Sequence, residues 1–342
     1  MRVLKSKKQK GYITLIICLL IVLLLLCVVS LGTGIYNVPF AQVIRILFGE
    51  IFGLEQTWTN VMRIVVIDLR LPRIIGAVLI GFALALAGAS YQGVFQNPLV
   101  SSDILGVSSG ATVGAAIGIL LNLGFYFIMA FAFFGGIIAV GLCVLVPTLT
   151  GKKSTLALVL SGIIVGGFLS SILGLITYLA DPETQLPSIV FWQMGSLSRV
   201  GYSSLAIATP VIILCAVFLL LMRWRINALS LSDREAQSLG VNLARERGLV
   251  IIFATVLTAV SVSISGTIGW LGLTMPHFAR LIVGDDNAKV IPLAGIIGAI
   301  FLVIVDLLAR TLTGAEIPLG IITGFLGAPL FAFLLIRQRK VG

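Results

Sequence analysis

Ten apolar stretches follow one another along this 342-residue chain, and they leave room for little else. They run over 12–31, 73–91, 103–121, 125–148, 155–179, 203–222, 249–266, 268–283, 290–309 and 318–336. A helix needs about 20 apolar residues to cross a bilayer core. In lipid, the helix is the open-ended structure that satisfies its own backbone polar groups. Composition agrees: 11% of residues are charged, against about 25% in soluble domains. The chain is therefore predicted to be all-α, a polytopic membrane protein of about ten transmembrane helices forming one domain over 1–342.

The net charge of +10 would suggest nucleic acid in a soluble protein, but here the charges follow the membrane. With the N-terminus inside, the cytoplasmic segments hold residues 2–10, Lys152, Lys153, Arg223, Arg225, Arg234, Arg245, Arg247, Arg280, Lys289 and the tail 337–340. The outer segments hold Arg45, Arg63, Arg70, Arg73, Arg199 and Arg310, and no lysine. This satisfies the positive-inside rule and places both termini in the cytoplasm. The first apolar core, Ile13–Leu31, is too long for a cleaved leader and no A-x-A site follows it. Cys18, Cys27, Cys143 and Cys215 lie in apolar runs without a C-x-x-C pair, so they read as packing residues.

Between Leu69 and Gly118, a polar break at Tyr91–Pro98 separates two apolar runs. Polar groups at membrane depth are tolerated where protein or a water-filled path surrounds them. Gln92, Gln96, Asn97 and Pro98 are therefore expected to belong to a solute pathway. Gly106, Gly110, Gly114 and Gly118, spaced by four, are expected on one helix face where another backbone comes close. Gly88, Pro98 and Gly106 recur as Gly266, Pro276 and Gly284 at an offset of 178, the trace of an inverted repeat.

Three shorter segments lie outside the spans. Pro39–Phe48 suits a surface helix, and 180–202 holds an apolar piece too short to cross, expected as a half-helix at the outer mouth. The cytoplasmic segment at about 226–246 carries Ser232-Asp233-Arg234-Glu235, a capping box, with Gly240 at the position of a helix-ending glycine. A helix over about 233–239 follows, suited to lie against a soluble partner.

Bond-making chemistry is lacking in the motifs. Gly151-Lys152-Lys153-Ser154-Thr155 resembles a P-loop ending, but Val146 replaces its first glycine. Gly106-Val107-Ser108-Ser109-Gly110 matches the hydrolase pattern G-x-S-x-G, yet it sits in a glycine ladder instead of a strand-to-helix elbow. The single histidine, His277, reads as structural. Asp306, the acid placed within a span, is expected to pair with Arg310 four residues on. Asp103, after Ser101 and Ser102, suits a helix start.

Taken in order, several motifs resemble the FecCD-type permeases of type II ABC importers: Arg70-Leu-Pro-Arg73, Gln96-Asn97-Pro98-Leu99, Leu105-Gly106-Val107-Ser108-Ser109-Gly110, Gly266-Thr267-Ile268-Gly269-Trp270, Pro276-His277-Phe278-Ala279-Arg280, and Glu316–Gly324 with Gly327-Ala328-Pro329. The resemblance implies a permease that binds no cofactor or metal, paired with a second identical or paralogous permease in a bacterial or archaeal cytoplasmic membrane. Two ATP-binding subunits, carrying ATP and Mg, and an extracytoplasmic substrate-binding protein would complete the machine. It implies coupling to the ATPase through Ser232, Asp233, Arg234, Glu235, Ala236, Leu239 and Gly240. It also implies docking of the binding protein on Arg70, Arg73 and Arg310. The implied cargo is an iron–siderophore, with haem, cobalamin or a molybdate-type oxyanion as alternatives. An ion-coupled secondary carrier using Asp306 is the alternative of another class.

Overall fold

The computed structural model describes residues 2–53, 55–149 and 155–338, and the side chains of 11–53, 55–149, 156–232, 234–334 and 336. Lys152, Lys153 and the tail beyond 338 lie outside the described residues. The described chain is helical throughout, with no strand among the described residues.

The helices are α1 (Arg2–Gly32), α2 (Phe40–Phe52), α3 (Asn60–Arg63), α4 (Leu71–Phe95), α5 (Val107–Leu120), α6 (Phe125–Leu149), α7 (Thr155–Leu179), α8 (Gln185–Met194), α9 (Tyr202–Leu229), α10 (Asp233–Ser238), α11 (Leu243–Ser265), α12 (Leu271–Val283), α13 (Asn287–Thr311) and α14 (Leu319–Gln338). A π-helical stretch, Ile64–Arg70, joins α3 to α4. Each of the ten predicted stretches holds a helix, but among the described residues seven are long and apolar enough to cross a membrane. Three are short: α5, α12 and the apolar part of α14.

Helix α4 is the axis of the bundle. Almost every residue from Ile80 to Phe95 is buried, and α4 packs against α13, α11, α12 and α9. Its most extensive crossing is with α13, where Gly81 and Gly298 each lie against the other's carbonyl; a Cβ on either would collide with that oxygen. Small residues at crossings are what membrane helices use in place of a hydrophobic driving force. The outer shell is the reverse: α1 and α7 expose wide apolar faces, including Leu24, Leu25, Ile163, Phe168 and Tyr178, as lipid or another membrane subunit requires.

The helix directions define two ends. The α8 end gathers the C-terminus of α5, where the Gln185 amide donates to the Leu120 carbonyl, and the start of α14, where Leu319 N–H donates to Gly195 O. The α10 end gathers the C-terminus of α9, the start of α13 and the beginning of α1, where Tyr12 OH donates to Lys289 O. Segment α2 closes a small second core of Leu31, Val38, Val43, Ile46, Val66 and Ile74 beside the α8 end.

The third predicted span is corrected at its start. Residues 101–106 form turns, and the helix begins at Val107 after Gly106, whose φ of +74° breaks the helical path. Asp103 therefore does not cap α5. The 178-residue offset does not survive either: Gly88 is mid-helix whereas Gly266 ends α11 at φ +69°, and Pro98 lies in a loop whereas Pro276 lies inside α12.

Candidate functional site

At the α8 end, four charged side chains meet under cover. Arg73 Nε donates to Asp306 Oδ1 at 2.6 Å, and its two terminal nitrogens donate to Glu316 at 2.8 and 2.7 Å. This two-pronged fork matches guanidinium to carboxylate. Arg310 Nε donates to the other oxygen of Asp306 at 3.0 Å, the predicted i,i+4 pair, and its Nη2 reaches Ser30 Oγ at 2.6 Å. Ser196 Oγ adds a donor to Glu316. Arg70 donates to the carbonyls of Leu31 and Tyr36 at 2.7 and 2.6 Å. Arg70, Arg73, Arg310 and Glu316 border a cavity of about 330 Å³ with Gly34, Tyr36 and Ser198. Direct docking of a partner through Arg70, Arg73 and Arg310 does not match this geometry: Arg70 and Arg73 are buried and all three already serve acceptors of this chain. Sequence reading missed the acceptors, because Asp306 and Glu316 lie more than 230 residues after Arg73.

At the α10 end the polar break also has internal uses. Gln92 is buried; its amide donates to Leu273 O at 3.3 Å and its oxygen accepts from Arg280 Nη1. Gln96 takes a left-handed conformation, φ +51°, and its amide donates to Leu229 O and Leu231 O at 2.9 and 2.6 Å. Asn97 Oδ1 accepts from Leu99 N–H within its own turn, and Pro98 is exposed beside it. Gln92, Gln96 and Asn97 thus fasten α4 to α12, to α9 and to its own exit turn.

The Gln96 bonds land on the entrance to α10. Ser232 N–H donates to Glu235 Oε2 at 3.1 Å and Glu235 N–H to Ser232 Oγ at 3.4 Å, which is the capping box read from sequence. The Ser232 hydroxyl also donates to Glu235 Oε2 at 2.7 Å, and this bond, with the one from Ser232 N–H, holds the exposed Glu235 carboxyl below its ordinary range. Gly240 ends the helix at φ +77°. Ala236 is buried against the bundle, while Arg234, Glu235 and Leu239 are exposed. The side chain of Asp233 is outside the described residues. Nearby, Asp286 accepts from Asn227 at 2.7 Å. Although burial pushes its carboxyl up, Asn227, Lys289 and Ala288 together hold it below the usual range.

Three glycines of the ladder lie against α6. Gly110 faces Gly135 O, Gly114 faces Phe131 O, and Gly118 sits against Ile128, all on α6, with no space for larger side chains at Gly110 and Gly114. Gly106 stands before the helix and does not share its face in that sense.

Sequence reading also missed a polar cavity of about 320 Å³ between the two ends. Asp103, Ser108, Ser109, Thr112, Ser170, Gln193 and Thr267 line it, with Leu169, Leu173 and Gly269. Ser108 lies twelve residues from the Leu120 end of α5, so the cavity sits about 18 Å below that end, at 1.5 Å per residue. The Ser108 hydroxyl donates to Asp103 Oδ1. The G-x-S-x-G serine therefore faces an aspartate from a helical position, while His277 is buried beside Phe331 and takes no part in the cavity lining. Among the described residues, no three of His, Cys, Asp and Glu gather as a metal site would require.

Comparison with known proteins covers nearly the whole chain. The chain is 38% identical over 332 residues to the molybdate import system permease protein MolB of Haemophilus influenzae, covering 97% of this chain and 98% of that protein. It is 40% identical over 320 residues to a Helicobacter pylori protein named "Probable iron chelatin transport system permease protein", covering 89% of this chain and 97% of that one. A solved inward-facing ABC transporter, described as of the metal-chelate type, superposes with a TM-score of 0.85 at 37% identity, over 95% of this chain and 99% of the other. A model of the FecCD transport family matches residues 20–337, and the chain belongs to that family.

Proposed function

We propose that this chain translocates a metal chelate, an iron–siderophore in the first instance, as one half of a permease pair driven by separate ATP-binding subunits. The membership described above makes it a permease subunit of a type II ABC importer, a multi-pass membrane protein whose work is transport. Cargo, partners and sidedness are the finer part. An iron chelatin permease and a structure described as of the metal-chelate type among its relatives support the chelate; MolB supports an oxyanion as the second reading.

The observation that carries the partner assignment is α10. It is a self-capped helix at one end of the bundle, seated on buried Ala236 and presenting Arg234, Glu235 and Leu239 outward. A connector between α9 and α11 has no need of a capped helix. As a rigid lever it suits a soluble ATPase, with Gln96 tying its root to the central helix α4. On this reading the α10 end is cytoplasmic and the α8 end receives a substrate-binding protein. Asp306 is held between two guanidinium groups, which supports a fixed structural role over a proton relay.

The test is purification of the chain from its native membranes in mild detergent, with co-purifying proteins identified by mass spectrometry. A stoichiometric P-loop ATPase is the expected result. A chain that purifies alone and moves solute in ATP-free liposomes would overturn the reading in favour of an ion-coupled carrier.

A further inference from the structure

The cavity between the ends carries chemistry that bears on the cargo. Its polar lining consists of four kinds of group: hydroxyls from Ser108, Ser109, Thr112, Ser170 and Thr267, the Gln193 amide, backbone at Gly269, and one carboxylate, Asp103. Hydroxyls and amides both donate and accept, so they serve solutes of either sign. Asp103 is the one charged group in that lining, and no Lys, Arg or His is among the described residues there. One of its oxygens accepts from Ser108; the other has no hydrogen-bond partner among the described residues. Arg280, the cation on α12, is turned to Gln92 and Asp285, and the arginine cluster is held at the α8 end around Asp306 and Glu316.

We propose that Asp103 makes this cavity discriminate by charge sign, admitting neutral and cationic cargo and repelling multiply charged oxyanions. The proposal rests on the importer reading, with the cavity as part of the route, and narrows its substrate class. Low-dielectric walls focus the field of a fixed charge into a cleft and shift local ion concentrations by factors of roughly 10–1,000. A dianion feels twice the repulsion of a monoanion at the same distance. A neutral hydroxamate-type ferric chelate meets hydroxyls and an amide that can replace its water, and has no net charge for Asp103 to repel. The inference thus parts this chain from the cargo in the name of its MolB relative, despite 38% identity.

The test reads the sign of the potential directly and needs no known cargo. Ser170→Cys is introduced into the full chain, purified with whatever partners accompany it, and reacted with a cationic trimethylammonium and an anionic sulfonate methanethiosulfonate. The unsubstituted chain gives the background from native cysteines, of which Cys143 and Cys215 are buried. The ratio of the two rates, divided by that for a small free thiol, should favour the cation on the order of tenfold or more. Asp103→Asn should bring the corrected ratio close to one, and Asp103→Glu should keep it. A corrected ratio at or below one, a ratio that Asp103→Asn leaves unchanged, or no reaction with either reagent would each overturn the proposal. If Asp103→Asn does not fold, the ratio in Ser170→Cys alone decides. Co-purification of an ATPase is scored on the same preparations. An intact ATP-driven complex with no cation preference sinks the charge filter alone, and a cation-selective cavity in a chain without an ATPase sinks the importer reading instead.

Discussion

Arg73 serves three carboxylate oxygens at once from a buried position. Removing one partner from a buried ion pair leaves the other charge stranded, which costs about 3–5 kcal/mol. Arg73→Met should therefore lower the thermal midpoint of the detergent-solubilised protein sharply, with Arg73→Lys intermediate because an ammonium cannot form the fork. An unchanged midpoint for Arg73→Met would refute the structural role. The same reasoning alters what charge reversal should do. Arg70→Glu with Arg73→Glu is expected to disrupt this end of the fold before any salt-sensitive docking can be read. Local spacing made the Asp306–Arg310 pair legible in sequence. It had no means of showing that Arg73 and Glu316 share a site, since 243 residues separate them.

Among the elements, α10 was the most legible, because four consecutive residues specify its start. Ser232→Ala should cost about 1 kcal/mol of cap, seen as faster amide hydrogen exchange confined to 233–238. Glu235→Lys keeps a helix former but removes the cap acceptor and reverses the exposed charge. On the proposed function it should uncouple ATP hydrolysis from transport in proteoliposomes, and normal coupling would count against α10 as the lever. The sign of the pH effect follows from the depressed Glu235 carboxyl: its cap is complete above the ordinary carboxylate range and is lost as pH falls through a value below that range. The start of α5 was illegible for a physical reason. Ile104 and Leu105 continue the apolar pattern, so hydropathy does not register the turn that Gly106 makes at φ +74°. On the helix itself, Gly110→Leu or Gly114→Leu should fail to assemble, because the colliding atoms are backbone of α6; a stable, active variant would refute the close contact.

For the whole molecule, the apolar stretches located the helices well but said little of their roles. Hydropathy runs against burial here: the more apolar window, in Gly11–Gly32, is only 6% buried, whereas the less apolar one, in Asn60–Phe95, is 78% buried. What distinguishes them is the placement of small residues such as Gly81 and Gly298. Sidedness can be read at this scale. Arg199 and Leu239 are exposed at opposite ends of α9 and its neighbours. In sealed, right-side-out vesicles an impermeant thiol reagent should label Arg199→Cys and spare Leu239→Cys. The reverse pattern would invert the topology.

The ion cluster also sets an order of events during synthesis. Arg73 emerges from the ribosome long before Asp306 and Glu316, the carboxylates that will neutralise it. Until the last two helices arrive, α4 carries an uncompensated guanidinium near its start and cannot settle as the buried axis of the bundle. Everything before Asp306 is made before that charge gains its counterpart. A chain cut short before residue 306 leaves that charge without a counterpart and is expected to pack poorly, even though most of its helices are complete.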